Sequence, residues 1–320
     1  MSEIPAMFRG MIAFPITPAD EAGGVDTGGV QALLGRLETA GVQSIGLLGS
    51  TGIYAYLSAS ERRRAVEAAV ERLGGRVPII VGAGALRTDA AVALARDAEA
   101  AGADGLLLAP VSYTPLLDAE VFEHFRAVAG ATVLPICIYN NPATTGFTFR
   151  PELVGRLAGL PTVAALKRPA PAAPEAAAAI AAFRALVPAG FPVGCSGDWH
   201  CAEALLAGAD AWYSVIGGLL PAPALALARA AQTGDRAEAE RLDAAFAPLW
   251  ELFRQLGSLR VVHAAAAILG VTEASPPRPI LPLDAADRRR VGAALEALAA
   301  AEQVAGPARI NASGAPPRDV

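Results

Sequence analysis

TVAALKRP (162–169) is the stretch on which the reading of the fold turns. Val163 to Leu166 are apolar, a cation and a proline close the run, and an Ala-rich segment with helical spacing follows at about 174–186. An apolar run with no polar alternation is what a strand looks like when both of its faces are buried in a parallel sheet. Upstream, LPICIYN (134–140) has the same form and is followed by a helical pattern at 151–159.

The unit repeats outward in both directions. Candidate strands are FRGMIAFPI (8–16), SIGLLGS (44–50), VPIIVGA (77–83), ADGLLLAP (103–110), the two above, FPVGCSG (191–197) and AWYSVIG (211–217). Helical spacing follows each, at 27–40, 59–73, 88–101, 118–129, 151–159, 174–186, 198–207 and 221–232. Ser60-Glu61, Thr88-Asp89 and Asp118 stand where helices should be capped, and Gly41, Gly74-Gly75, Gly102 and Gly208 where they should stop. Eight strand–helix units over 7–232 predict a (β/α)8 barrel, an α/β TIM barrel. A doubly wound sheet would carry a Gly-rich phosphate turn after its first strand, and AFPITPADEAGG (13–24) is not one. From 233 to 303 the pattern is helix only, with a Pro-rich ASPPRPILPL (274–283) before the last helix, which predicts a C-terminal three-helix extension. The Gly/Pro-rich 304–320 is expected to be a disordered tail.

The bulk properties exclude several classes. Hydrophobic residues make up 53% of the 320 and mean hydropathy is +0.40, which is ample for a large core. The net charge is −5, and the short basic clusters at 60–64 and 287–290 are interrupted by acids, so a nucleic-acid partner is not expected. Three cysteines imply no disulfide framework. MSEIPAMFRGMIAFPITP lacks a basic segment leading into a long apolar one, and no transmembrane run follows, so a cytoplasmic protein without a membrane partner is expected.

One compositional fact points to chemistry. Lys167 is the only lysine, and the other 25 basic residues are arginine. Arginine replaces lysine on a solvated surface, but not where an amine must lose its proton and attack carbon. A lysine starting inside an apolar barrel is poorly solvated as an ammonium, and the neutral amine can attack a ketone to give an iminium. Barrel sites form at the C-terminal ends of the strands. Tyr139, ending the neighbouring strand, could shuttle protons there, or it could be a packed tyrosine with a satisfied hydroxyl. Gly49-Ser50-Thr51-Gly52 could cradle a carboxylate with hydroxyls and backbone N–H groups, or be a plain turn. His124, His200 and His263 are scattered, so no metal site is expected. Trp199 and Trp212 read as packing or interface residues.

GSTG at the end of strand 2, YNNP at the end of strand 5 and a lysine ending strand 6 together resemble the dihydrodipicolinate synthase / N-acetylneuraminate lyase superfamily of class I aldolases. The resemblance extends from about Met7 to Leu283, including the GMIAFPITP opening and the SGD after strand 7. It implies Lys167 as the Schiff-base nucleophile for pyruvate or a 2-oxo acid, with no metal or organic cofactor. It implies Tyr139 as general acid/base, Ser50 and Thr51 as carboxylate ligands, Thr51 as the link to Tyr139 in a proton relay, and Tyr213 as the pocket floor. Gly49 and Gly52 would permit close backbone approach, and a homo-oligomer, dimer or tetramer, would be expected.

Three positions depart from the pattern. Family members that make dihydrodipicolinate carry an arginine where this chain has Thr144, and a neutral threonine cannot grip a second carboxylate bidentately. Ser112 stands where those members have a relay tyrosine, with Tyr113 one place on, and Ile53 where glutamate is common. The small Ala143-Thr144-Thr145 is closer to the sugar-acid aldolases and dehydratases. The expected function is therefore a Schiff-base lyase acting on a 2-oxo acid such as a 2-keto-3-deoxy sugar acid. The alternatives are a 4-hydroxy-tetrahydrodipicolinate synthase with an altered acceptor site, and a non-catalytic 2-oxo-acid binder or regulator.

Overall fold

A computed structural model describes residues 5–305, and the expected tail from 304 lies, apart from the end of the last helix, outside the described residues. Eight parallel strands close into a barrel in sequence order. They are β1 (Gly10–Ala13), β2 (Ser44–Leu47), β3 (Ile79–Gly82), β4 (Gly105–Leu108), β5 (Ile136–Tyr139), β6 (Val163–Pro169), β7 (Val193–Ser196) and β8 (Ala211–Ser214). The helices are α1 (Thr27–Ala40), α2 (Ala59–Leu73), α3 (Thr88–Ala100), α4 (Asp118–Ala129), a one-turn α5 (Pro142–Thr145), α6 (Pro151–Leu157), α7 (Ala176–Arg184), α8 (Cys201–Leu206) and α9 (Pro221–Gln232). The sequence reading of a TIM barrel holds, with β1 shorter than expected. Phe14 N still reaches Ser214 O at 2.8 Å, but Pro15 has no N–H to continue the ladder.

The caps fall slightly upstream of where the sequence pointed. Ser58, not Ser60, caps α2, its Oγ accepting from Glu61 N at 3.2 Å. Thr88 and Asp118 are the first helical residues of α3 and α4, and Glu120 reaches back to accept from Leu117 N at 2.7 Å. The left-handed Gly41 and Gly74 end α1 and α2 as expected.

Side-chain parity decides what enters the barrel. On β5, Cys137 and Tyr139 belong to the inner core and Ile136 and Ile138 to the layer between sheet and helices. On β6 the same alternation puts Ala165 inside and Leu166 outside, so Lys167 starts inside, one residue beyond the last apolar layer.

Past α9 the chain is helical: α10 (Arg236–Leu256), α11 (Ser258–Ile268) and α12 (Ala285–Ala305). α10 packs on α8 and α9 as well as on α11 and α12, which brings its C-terminal end over the barrel mouth. Among the described residues no helix is long and apolar enough to cross a membrane, and no group of three or more His, Cys, Asp and Glu could hold a metal ion.

Candidate active site

Lys167 is 5% exposed and stands among aromatic rings. Its Nζ lies 3.8 Å from the ring centre of Phe14, 4.4 Å from that of Tyr139 and 5.6 Å from that of Tyr213. Glycines make the space for those rings. A Cβ on Gly49 would sit 2.6 Å from Phe14 Cδ1, and one on Gly194 would sit 2.5 Å from Tyr213 Cε2. Among the described residues Lys167 takes part in no salt bridge, whereas Arg9, Arg184 and Arg290 each do. A structural lysine at this depth needs a counter-charge. This one faces rings and a cavity instead.

Tyr139 is the register partner of Lys167 across β5 and β6. Its hydroxyl donates to Ser50 Oγ at 3.3 Å and accepts from Asn141 Nδ2 at 3.0 Å. Burial pushes the phenol up, but the Lys167 charge and the hydrogen bonds with Ser50 and Asn141 outweigh it and hold Tyr139 below the ordinary tyrosine value. The resemblance pointed to Thr51 as the link to Tyr139, whereas the bond runs to Ser50. Thr51 is buried and lines the cavity beside it. Adjacent residues of a turn point in different directions, and spacing along the chain does not say which faces the phenol.

That turn is wound tightly. Leu48 and Ile53, on either side of GSTG, have φ of 55° and 54°, a region that costs a non-glycine residue about 1–2 kcal/mol. The Leu48 carbonyl fits only because residue 82 is glycine, since a Cβ there would lie 1.9 Å from Leu48 O. Gly52 lies under the same turn, where a Cβ would come within 3.0 Å of the Leu48 backbone.

A cavity of about 400 Å³ opens above Lys167. Ser50, Thr51, Tyr139, Asn141, Lys167 and Tyr213 line its inner end. Tyr213 presents its ring there, while its hydroxyl meets Cys137 Sγ at 3.3 Å, where burial pushes the thiol up to about 12. Three residues expected to contact substrate are not on this wall. Thr144 is exposed and its Oγ1 donates to Asn141 O at 3.2 Å. Ser112 turns its hydroxyl back to Thr114 O, and Tyr113 is 97% exposed. Cys195 is fully buried and does not reach the wall.

Sequence reasoning missed part of the site. Asp198, after β7, is 1% exposed at the cavity edge. Its Oδ1 accepts from Trp212 Nε1 at 3.0 Å and Val215 N at 3.3 Å, and its Oδ2 from Ile216 N at 2.7 Å. Burial raises this carboxyl above its ordinary value, against those three donors and the Lys167 charge. Asp198 thus ties the end of β8, and with it Tyr213, to β7. Trp199, Phe253 and Ser258 complete the outer wall. Trp199 had read as a packing residue. Phe253 and Ser258 come from α10 and α11, elements with no local signal for the site.

The model of the dihydrodipicolinate synthetase family matches residues 7–298. The chain belongs to that family. It is 34% identical to the 4-hydroxy-tetrahydrodipicolinate synthase of Methylococcus capsulatus over 74% of this chain and 80% of that one. Among solved structures it resembles dihydrodipicolinate synthase from Agrobacterium tumefaciens, at 60% identity with a TM-score of 0.91, covering 92% of this chain and all of the other. It also resembles the Acinetobacter baumannii dihydrodipicolinate synthase complexed with pyruvate, at 28% identity and TM-score 0.84, over 91% of this chain and 99% of that one. As a member of the dihydrodipicolinate synthetase family the chain is a lyase of the class I aldolase type, whose reactive group is a lysine Schiff base rather than a bound cofactor.

Proposed function

We propose that this lyase joins Lys167 to pyruvate, or to a longer 2-oxo acid, as a Schiff base. It then makes or breaks a carbon–carbon bond, or eliminates water, beside the former keto group. The pairing of Lys167 with Tyr139 across β5 and β6 carries the reading: an amine in no salt bridge among the described residues faces a phenol hydrogen-bonded to Ser50 and Asn141. The neutral amine attacks the keto carbon. Tyr139 supplies the proton that lets the carbinolamine oxygen leave as water, and it takes the proton back in hydrolysis. The iminium draws electrons from the bond to the next carbon, so that carbon can lose a proton or an aldehyde. Ser50 and Thr51 hold the substrate carboxylate with hydroxyls and turn N–H groups. A second copy of the chain goes with this reading, since Tyr113 and Leu117 stand exposed on one rim of the barrel.

For the other half of the substrate, a cavity lining that holds Ala143 and no arginine supports a neutral group, as in a 2-keto-3-deoxy sugar acid. Lys167 is the one Lys or Arg among the residues lining the cavity. The second reading is 4-hydroxy-tetrahydrodipicolinate synthase with a rebuilt acceptor site. It is favoured by the name of relatives such as that of Corynebacterium aurimucosum, 34% identical over 87% of this chain and 89% of its own. Proton exchange tests the shared chemistry. In D2O the wild type should exchange the methyl protons of pyruvate, and Lys167→Met should not. Equal exchange by both would remove the proposal. Efficient condensation of pyruvate with aspartate 4-semialdehyde would decide for the second reading.

A further inference from the structure

The cavity has two ends of different chemistry. Around the closed barrel β2 lies across from β6, so the carboxylate turn after β2 faces the segments that follow β6 and β7. Pro169, Ala170 and Trp199 stand on those segments, and Val215 after β8 and Phe253 of α10 line the cavity with them. Two of the polar side chains there, Ser196 and Asp198, are already engaged, which leaves the Ser258 hydroxyl as the polar exception on an otherwise apolar wall. Ser196 Oγ donates to Arg168 O at 3.3 Å, and both oxygens of Asp198 are taken.

The wall is also stiff. Phe253 is 2% exposed and ends an aromatic ladder in which Phe246 stacks on Trp250 at 4.8 Å and 12°, and Trp250 meets Phe253 at 5.6 Å. Trp199 is only partly buried and follows the left-handed Gly197, with φ of 86°, which turns the chain back over the mouth. A polyol placed here would leave hydroxyls against carbon without partners, and a carboxylate would find no guanidinium. An apolar group would meet carbon from Pro169, Ala170, Trp199, Val215 and Phe253 here.

We infer that this outer wall is a subsite for an apolar tail, best an aromatic ring, on the carbon that becomes the leaving aldehyde. The inference rests on the Schiff-base reading and puts an apolar tail in place of its sugar-acid example. In the synthetic direction the enamine carbon of Lys167-bound pyruvate attacks R–CHO, and the aldehyde oxygen takes a proton. Hydrolysis then releases the 4-hydroxy-2-oxo acid, consuming the water lost when the imine formed. No oxidant or reductant takes part.

The test pairs pyruvate with benzaldehyde, glyceraldehyde or succinic semialdehyde and compares kcat/KM for the aldehyde. Benzaldehyde should lead glyceraldehyde by about tenfold or more, since even one methylene in an apolar pocket is worth roughly tenfold. Trp199→Gln and Val215→Ser should each shrink that ratio several-fold. Because the ratio is taken within one variant, a general loss of fold or activity cancels. Glyceraldehyde or succinic semialdehyde doing as well as benzaldehyde, or a ratio unmoved by both substitutions, would overturn the subsite. Loss of pyruvate proton exchange in the wild type would instead remove the Schiff-base reading beneath it.

Discussion

Tyr139 and Lys167 face each other across two adjacent parallel strands, with the amine 4.4 Å from the centre of the phenol ring. The pair is held by backbone: Asn140 N donates to Lys167 O at 2.9 Å. Their proximity therefore follows from barrel register, and each group reports on the other.

Tyr139→Phe keeps the ring and removes the proton carrier. kcat for pyruvate-dependent turnover should fall by about 10²–10⁴, the usual contribution of a general acid/base. The steady-state rate measures this, and a loss below threefold would remove Tyr139 from proton transfer. Ser50→Ala should cost less, because Asn141 still donates to the phenol.

The tyrosines should titrate apart. Tyr139 is held below the ordinary value, while burial drives Tyr54 up to about 12 and Tyr213 well above the ordinary value. Lys167 favours the phenolate of Tyr139, so Lys167→Met should move its ionisation to higher pH. In a tyrosinate absorbance titration Tyr139→Phe should lack an early component that the wild type shows. An unchanged curve in both variants would contradict the coupling.

Gly82→Ala tests the turn from a distance. The new Cβ would lie 1.9 Å from Leu48 O, so the backbone that presents Ser50 and Thr51 must move. Overpacking of this kind costs about 1–3 kcal/mol, and KM for pyruvate should rise along with the loss of stability. Thermal unfolding and pyruvate saturation check both, and a wild-type KM would show that the turn does not hold the carboxylate.

Asp198→Ala would strand the Trp212 indole N–H and the Val215 and Ile216 amides. Each unsatisfied buried donor costs about 1–3 kcal/mol, so unfolding should come several kcal/mol earlier. The raised carboxyl has a defined pH sign. Its contribution is fully present below the unfolded-state value and is lost as pH rises through the higher folded-state value. The role of Asp198 is position: it fixes the strand end that carries Tyr213.

What the sequence revealed and what it hid divide along contact distance. Lys167 and Tyr139 were legible because each closes the apolar run of its strand, and parity alone sends both into the barrel. The glycine turn was legible as a turn, but the division of labour between Ser50 and Thr51 depends on the left-handed Leu48 and Ile53, which no residue-type rule foretells. Asp198 could be seen as part of SGD, but its partners lie 14–18 residues on, in β8 and just past its end. Phe253 and Ser258 reach the cavity only because α10 folds back across the barrel mouth. Ser112 bonds within its own loop and Tyr113 stands exposed, neither of which a linear match of motifs reveals.

The most direct measurement uses the lone lysine. Pyruvate is added to the wild-type protein, the imine is reduced with borohydride, and peptide masses locate the adduct. Lys167 is the one lysine side chain available, and the N-terminal amine serves as the internal control. The account predicts a single adduct on the peptide containing Lys167, absent from Lys167→Met. No adduct, or an adduct confined to the N-terminus, would contradict it.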